Sequence, residues 1–346
     1  MEEVLYEFPI ETSIIIEKLF HRDWIIENFL LEDNQSFYSP VDIAYNNYEK
    51  NIKYTVYLDT NIYQFIINSF KKEVNQTTRD VVALIVFCQI CNIQIEPQYA
   101  VYEKINYNKE QADEVIQDLN LFYKIDNSKT EELIAYATGK MDKYLLGNHM
   151  DIDIYSMKEK LTRYDRLKEW DSMYLIMLAC VSFSIKNISN EEKLKRFVTW
   201  MIKDFRKSLV GYVYAIVYFK CPLKRMMKYK KKDHSKERKK SIVNMTWDLY
   251  IMNSFFRNWS DQKKQSEFVY ASDDKAFRSL LRMAIDIQSN KSLEPLRKFV
   301  SQSNYNNITE IWNMEFPKDE RVYGSKEWSR EYRDKLIQQF ERELLS

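Results

Sequence analysis

Apolar side chains along this chain follow two periods, and the places where one gives way to the other are the most informative. From Tyr54 to Leu58, Val56 and Leu58 alternate with tyrosines in the two-residue rhythm of a strand. From Ile62 onward, Phe65, Ile66 and Phe70 recur at helical spacing, and Asp59, Thr60 and Asn61 stand at the junction. The succession returns far downstream: Phe268 to Ala271 read as a compact strand, Ser272, Asp273 and Asp274 as an acidic turn, and Ala276, Leu280, Leu281, Ala284 and Ile285 as a helix face. Between them, residues 74–92 predict a helix with Thr77 or Thr78 as its cap and Val81, Leu84, Ile85 and Cys88 on one face. A short strand at 93–96, stopped by Pro97, leads to a helix carrying Tyr99, Tyr102 and Glu103. Strands alternating with helices predict parallel α/β architecture.

The rest of the pattern is helical. Residues 1–53 read as an N-terminal helical extension, amphipathic over 13–29 and polar over 34–51. Residues 109–241 form an α-helical insertion, with candidate helices at 109–125, 129–146, 157–188 (with a break allowed) and 191–219. The α/β character resumes over 242–290, beginning with a helix at 242–256, and a tail over 291–346 ends in a helix at 326–345. No fixed-period repeat stands out among these helices, so a solenoid is not indicated. The apolar runs 173–185 and 209–219 are well short of the ~20 residues that span a bilayer, so both are expected to be core helices and no membrane partner is expected.

Composition changes this picture little. With only 4 glycines and 6 prolines in 346 residues, long helices and little disorder are expected. The 52 basic and 51 acidic residues nearly cancel, so attraction to nucleic acid has to come from local clusters. Cys88, Cys91, Cys180 and Cys221 lie in apolar or helical surroundings, and Cys88 and Cys91 read as buried helix thiols rather than a zinc or redox pair. A reducing, cytoplasmic location is expected, because the acidic start Met1, Glu2, Glu3 does not read as a signal peptide.

The candidate chemistry is acidic. Asp59 at a strand-to-helix junction fits two roles: a helix N-cap, and a ligand beyond the carboxyl end of a strand. Two strands that each end in carboxylates form the arrangement a hard divalent cation requires, since Mg²⁺ takes oxygen ligands and keeps several waters. Glu103 also has a plain reading, as a surface helix glutamate paired with Lys104 or Lys109. A second signal is the basic run 223–240, with Lys224, Arg225, Lys228, Lys230, Lys231, Lys232, Lys236, Arg238, Lys239 and Lys240 around a tyrosine. It suits a phosphate backbone and, through Tyr229, an unpaired base, although charge runs are usually solvated surface. His21, His149 and His234 are isolated, and no glycine-rich phosphate loop, G-x-S-x-G or H-E-x-x-H occurs.

Taken as an ordered set, Leu58, Asp59, Thr60 and Asn61, then Glu103, then Asp248 after Trp247, then Ser272 to Phe277, the residues resemble the PIN-domain nuclease family. The resemblance covers 54–107 and 242–287. It implies a three-layer α/β/α fold with a central parallel sheet, interrupted here by the helical insertion, so that 54–108 and 242–290 are the two parts of one core. It also implies that Asp59, Glu103, Asp248 and Asp274 are catalytic and hold Mg²⁺ or Mn²⁺. Asp273 and Asp274 stay alternatives for the last ligand, and Thr60, Asn61 and Ser272 are supporting residues. Asp171 competes with Asp248, but Asp248 lies one helix before the last strand. The implied activity is metal-dependent hydrolysis of RNA, single-stranded or in exposed loops, leaving 5′-phosphate and 3′-hydroxyl ends. Many members are toxins or defence effectors, so an inhibitor or antitoxin protein and a second copy of the chain join RNA as expected partners. The rival is a non-catalytic RNA-binding or scaffold protein on the same fold. A DNA-directed 5′ nuclease is a weaker alternative, because the chain shows no helix-hairpin-helix element.

Overall fold

The computed structural model describes residues 6–26, 36–105, 109–162, 167, 169–206, 208–220, 226, 228–261, 265–298, 300–313, 321 and 325–346. The chain is mixed α/β and mostly helical. It divides into two compact units, Met1–Asp165 with Arg257–Asp273, and Arg166–Phe256 with Asp274–Ser346.

The first unit holds a four-stranded sheet of β1 (Ile25–Ile26), β2 (Lys53–Leu58), β3 (Gln94–Glu96) and β4 (Ser266–Ala271), in the order β1-β4-β2-β3. β2 lies parallel to both β3 and β4, whereas β1 runs antiparallel to β4. The sheet is therefore mixed, and the expected helical extension over 1–53 contributes an edge strand to it. Two isoleucines are too short a run to show a two-residue period, so β1 is hidden in the apolar face read over 13–29. The register sets Leu58 opposite Ala271, and the Asp59 N–H donates to Ala271 O at 2.9 Å. The acidic ends of β2 and β4 thus come out side by side.

Among its described residues this unit also holds α1 (Thr12–Arg22), α2 (Pro40–Tyr48), α3 (Thr60–Lys71), α4 (Gln76–Ile90), α5 (Gln98–Ile105), α6 (Ala112–Asp126), α7 (Thr130–Ala137) and α8 (Ile154–Thr162). α4 packs against α1, α3 and α7, which explains why every residue from Val81 to Cys88 is buried. A helix apolar on all sides needs neighbours on all sides. Its cap is Asn75, in a reciprocal pair with Thr78, two or three residues earlier than the sequence suggested. The helix expected over 129–146 ends at Ala137. Gly139 follows with φ +85, and 138–153 has no regular structure. Apolar spacing at Tyr144 and Leu146 imitated a helix, but the segment is held as an extended strap: Tyr144 and Ser69 hydroxyls meet at 2.7 Å. At Gly147 a Cβ would stand 1.8 Å from Asn127 O, so that approach requires glycine.

The second unit contains α9 (Trp170–Ser184), α10 (Asn190–Lys203), α11 (Leu209–Lys220), α12 (Ser235–Asp261, which continues past the division between units), α13 (Lys275–Asn290), α14 (Gln302–Asn313) and α15 (Arg330–Leu345). α9 packs against α10, α11 and α15, and α11 against α13. α9 and α11 are buried almost throughout, as the apolar runs predicted. Among the described residues no helix is long and apolar enough to cross a membrane. α12 begins seven residues earlier than expected, because lysine, arginine and glutamate are good helix formers and the end of the basic run joins its first turns.

Candidate carboxylate site

Alternation along β2 buries Tyr54, Val56 and Leu58 and brings the chain to Asp59 at the edge of the sheet. There the backbone is still extended (φ −70, ψ 154), and Asp59 Oδ1 accepts from the Thr60 N–H at 2.7 Å as α3 starts. Its Oδ2 accepts from Ser272 Oγ at 2.6 Å and from Asn61 Nδ2 at 3.3 Å. Ser272 is fully buried at the end of β4. Asp59 is therefore both a helix cap and the meeting point of two strand ends. Thr60 extends the group: its hydroxyl donates to Glu103 Oε2 on α5. Two carboxylates are thereby joined through one residue.

Lys104, one candidate partner of Glu103, turns to Asp118 Oδ2 and Gln64 Oε1, each at 2.8 Å. Burial pushes the Asp118 carboxyl up, but hydrogen bonds from Lys104 and Lys71 outweigh it and hold the group below its usual value. The acidic turn after β4 divides its duties. Asp273 is exposed, and its Oδ1 accepts from Trp24 Nε1 at 2.8 Å. Asp274 caps α13, accepting from the N–H groups of Ala276 at 2.8 Å and Phe277 at 3.1 Å.

Asp248 and Asp274 belong to the second unit. Asp248, on α12, receives Lys228 Nζ at 3.1 Å, in a pair too exposed to add much stability. Asp248 and Asp274 also act on one buried phenol. Burial pushes the Tyr214 hydroxyl well above its ordinary range, and the carboxylates of Asp248 and Asp274 push it further. The rival Asp171 is buried and lies 3.6 Å from Arg333, a structural ion pair.

The basic run is put to mixed use. Lys224 and Arg225 lie outside the described residues. Arg238 donates to the last carbonyls of α15, Leu344 O at 2.7 Å among them, and Lys239 pairs with Glu341 at 3.0 Å. Lys230, Lys231, Lys232, Lys236 and Lys240 are exposed. The tyrosine expected to meet a base does not face solvent: Tyr229 is buried and donates to Leu344 O at 3.1 Å. Its apolar ring prefers the helix packing to the lysine-rich surface around it. Cys88, Cys91 and Cys180 are free and buried, and burial lifts the Cys88 and Cys180 thiols well above their normal range and Cys91 to about 12. Unreactive core thiols are the result.

Sequence reasoning did not find Trp24, Tyr214 or the return of Ser272 to Asp59. Trp24 had no visible signal, because its partner lies 249 residues away. Among the described residues, no three His, Cys, Asp or Glu side chains are grouped to hold a metal ion. The Asp59 and Glu103 pair offers oxygen donors only, which fits Mg²⁺ or Mn²⁺, since such ions are commonly held by one or two carboxylates plus water and phosphate oxygens. Comparison of the chain with protein-family models, with curated proteins and with solved structures finds no match.

Proposed function

We propose that the protein is a Mg²⁺- or Mn²⁺-dependent ribonuclease of the PIN type, with its chemistry at the paired ends of β2 and β4. The observation that carries this reading is the joining of Asp59 to Glu103 through Thr60, with Ser272 arriving from β4. The parallel pairing of β2 with both β3 and β4 supports the reading, since the family resemblance implies a parallel sheet. Asp59 and Glu103 would hold the ion, which when bound would supply Lewis acidity toward a phosphodiester and activate water. Ser272 and Asn61 fix the orientation of the Asp59 carboxylate, and Thr60 does the same for Glu103. Asp248 and Asp274, which the family resemblance adds to the set, lie in the second unit, and the reading rests on Asp59 and Glu103. The exposed lysines 230–232, 236 and 240 would raise the local concentration of a polyanion.

A non-catalytic RNA-binding role is favoured by one observation: both Asp59 oxygens already accept hydrogen bonds, as a purely structural cap would. Incubation with mixed RNA and DNA, with Mg²⁺ or Mn²⁺ and with chelator, decides between them when Asp59→Ala is run alongside. Metal-dependent RNA cleavage lost in the variant is expected. Cleavage that is absent, or equal in both proteins, leaves the binding role.

A further inference from the structure

Outside the carboxylate site, the second unit holds a cavity of about 580 Å³ where the end of α13 meets α14. That volume lies inside the roughly 300–1,000 Å³ of small-molecule sites. Trp312 lines it, with its ring stacked on Tyr212 at 4.4 Å and 27°. The Tyr212 hydroxyl donates to Ile308 O at 2.8 Å, so the indole is oriented before any ligand arrives. Thr309, a second lining residue, has its hydroxyl oxygen buried and without a hydrogen-bond partner among the described residues. That oxygen is closed to solvent and lies behind the cavity wall, out of reach of a ligand.

The remaining wall specifies the ligand. Gln288 and Asn313 bring two amide groups to the rim, each able to donate and accept. The C-terminal end of α13 carries partial negative charge and prefers N–H donors. Lys291, just past that helix, is a cation at the rim. A flat aromatic ring with an amino group and a mixed donor–acceptor edge, attached to a phosphate, satisfies all of these together. Adenine matches best, because Asn and Gln pair with its amino group and ring nitrogen.

We infer that this cavity binds an unpaired adenine base, stacked against Trp312 with its edge on Gln288 or Asn313 and its phosphate near Lys291. The base is supplied by a free adenine nucleotide or by a nucleotide within an RNA strand. Binding here needs neither the metal nor the carboxylates of the first unit, so it stands or falls separately from nuclease activity.

Calorimetric titration of the full chain in chelator, with AMP, GMP, ribose 5-phosphate and a short oligoadenylate, tests it. Saturable binding of AMP or the oligoadenylate is expected, with none for ribose 5-phosphate. Trp312→Ala should weaken binding at least about tenfold, as loss of base stacking does, and Trp312→Tyr should keep most of it. Gln288→Ala and Asn313→Ala, both exposed and safe for folding, should between them reduce preference for AMP over GMP. AMP binding without oligoadenylate binding identifies a free nucleotide, and tighter oligoadenylate binding identifies a strand. Absence of saturable binding, equal binding of ribose 5-phosphate, or unchanged affinity in Trp312→Ala and both amide variants overturns the inference.

Discussion

The junction after β2 and the junction after β4 read alike in sequence, each a strand, an acidic turn and a helix, yet the fold uses them differently. After β2, one residue gathers the contacts: Asp59 caps α3 and receives Ser272, and the Thr60 whose N–H it accepts donates its hydroxyl to Glu103. After β4 the work is shared, with Ser272 reaching back to Asp59, Asp273 taking the Trp24 indole and Asp274 capping α13. An acidic strand end is therefore no evidence of chemistry by itself. What separates the two is Thr60, whose hydroxyl ties Glu103 of α5 to the junction after β2.

Loss of the shared carboxylate should have the largest effect. Asp59→Asn should lower metal-dependent RNA cleavage by at least about a hundredfold, the scale of removing a preorganised charged group from a reacting centre, whereas Asp273→Asn should stay within about threefold of wild type. Equal losses in a cleavage assay would erase the distinction between the junctions. Ser272→Ala comes next: orienting partners of a metal ligand are worth about 10–100-fold, and a titration of activity against Mn²⁺ should show a raised requirement for the ion.

A carboxylate away from both junctions sharpens the comparison, since it lacks their ordered N–H and hydroxyl donors as a cause of its titration. Burial raises Asp126 to about 6 in the folded protein, against about 3.9 in an unfolded chain. Its favourable contribution is present below about pH 4 and is lost as pH rises through about 6. Asp126→Asn should therefore stabilise the protein at pH 8 by about 1–2 kcal/mol, less than the full shift implies because the group is partly exposed, and by under about 0.5 kcal/mol at pH 4. Urea melts at the two pH values check the sign. The smallest effect belongs to Asp274→Ala, which should cost about 1 kcal/mol as a lost N-cap, read as a lower urea midpoint.

Much of the first unit was legible because its signals are local. The Asp59 turn, the helix faces after it, and the strand before Ser272 show within about a dozen residues; in the second unit, α9 and α11 announce their burial by unbroken apolar runs. What stayed hidden depends on distant partners. β1 is two residues long and exists only because β4 pairs with it. The strap over 138–153 keeps helix-like apolar spacing while Ser69 and Lys124 hold it extended. Tyr229 looked available because lysines surround it in sequence, whereas α15 covers it in space. Within the candidate site, the carboxylates and the supporting Thr60, Asn61 and Ser272 were visible, but which of them meet was not, since Ser272 reaches Asp59 across 213 residues.

The central claim is that Asp59 and Glu103 form one cation site. Mn²⁺ binding followed by electron paramagnetic resonance tests it without reference to any substrate, using wild type, Asp59→Asn, Glu103→Gln and Asp273→Asn. The account predicts saturable binding in wild type and Asp273→Asn, weakened at least about tenfold in both Asp59→Asn and Glu103→Gln. Wild-type protein that binds no Mn²⁺, or Asp59→Asn that binds it as well as wild type, would contradict the account.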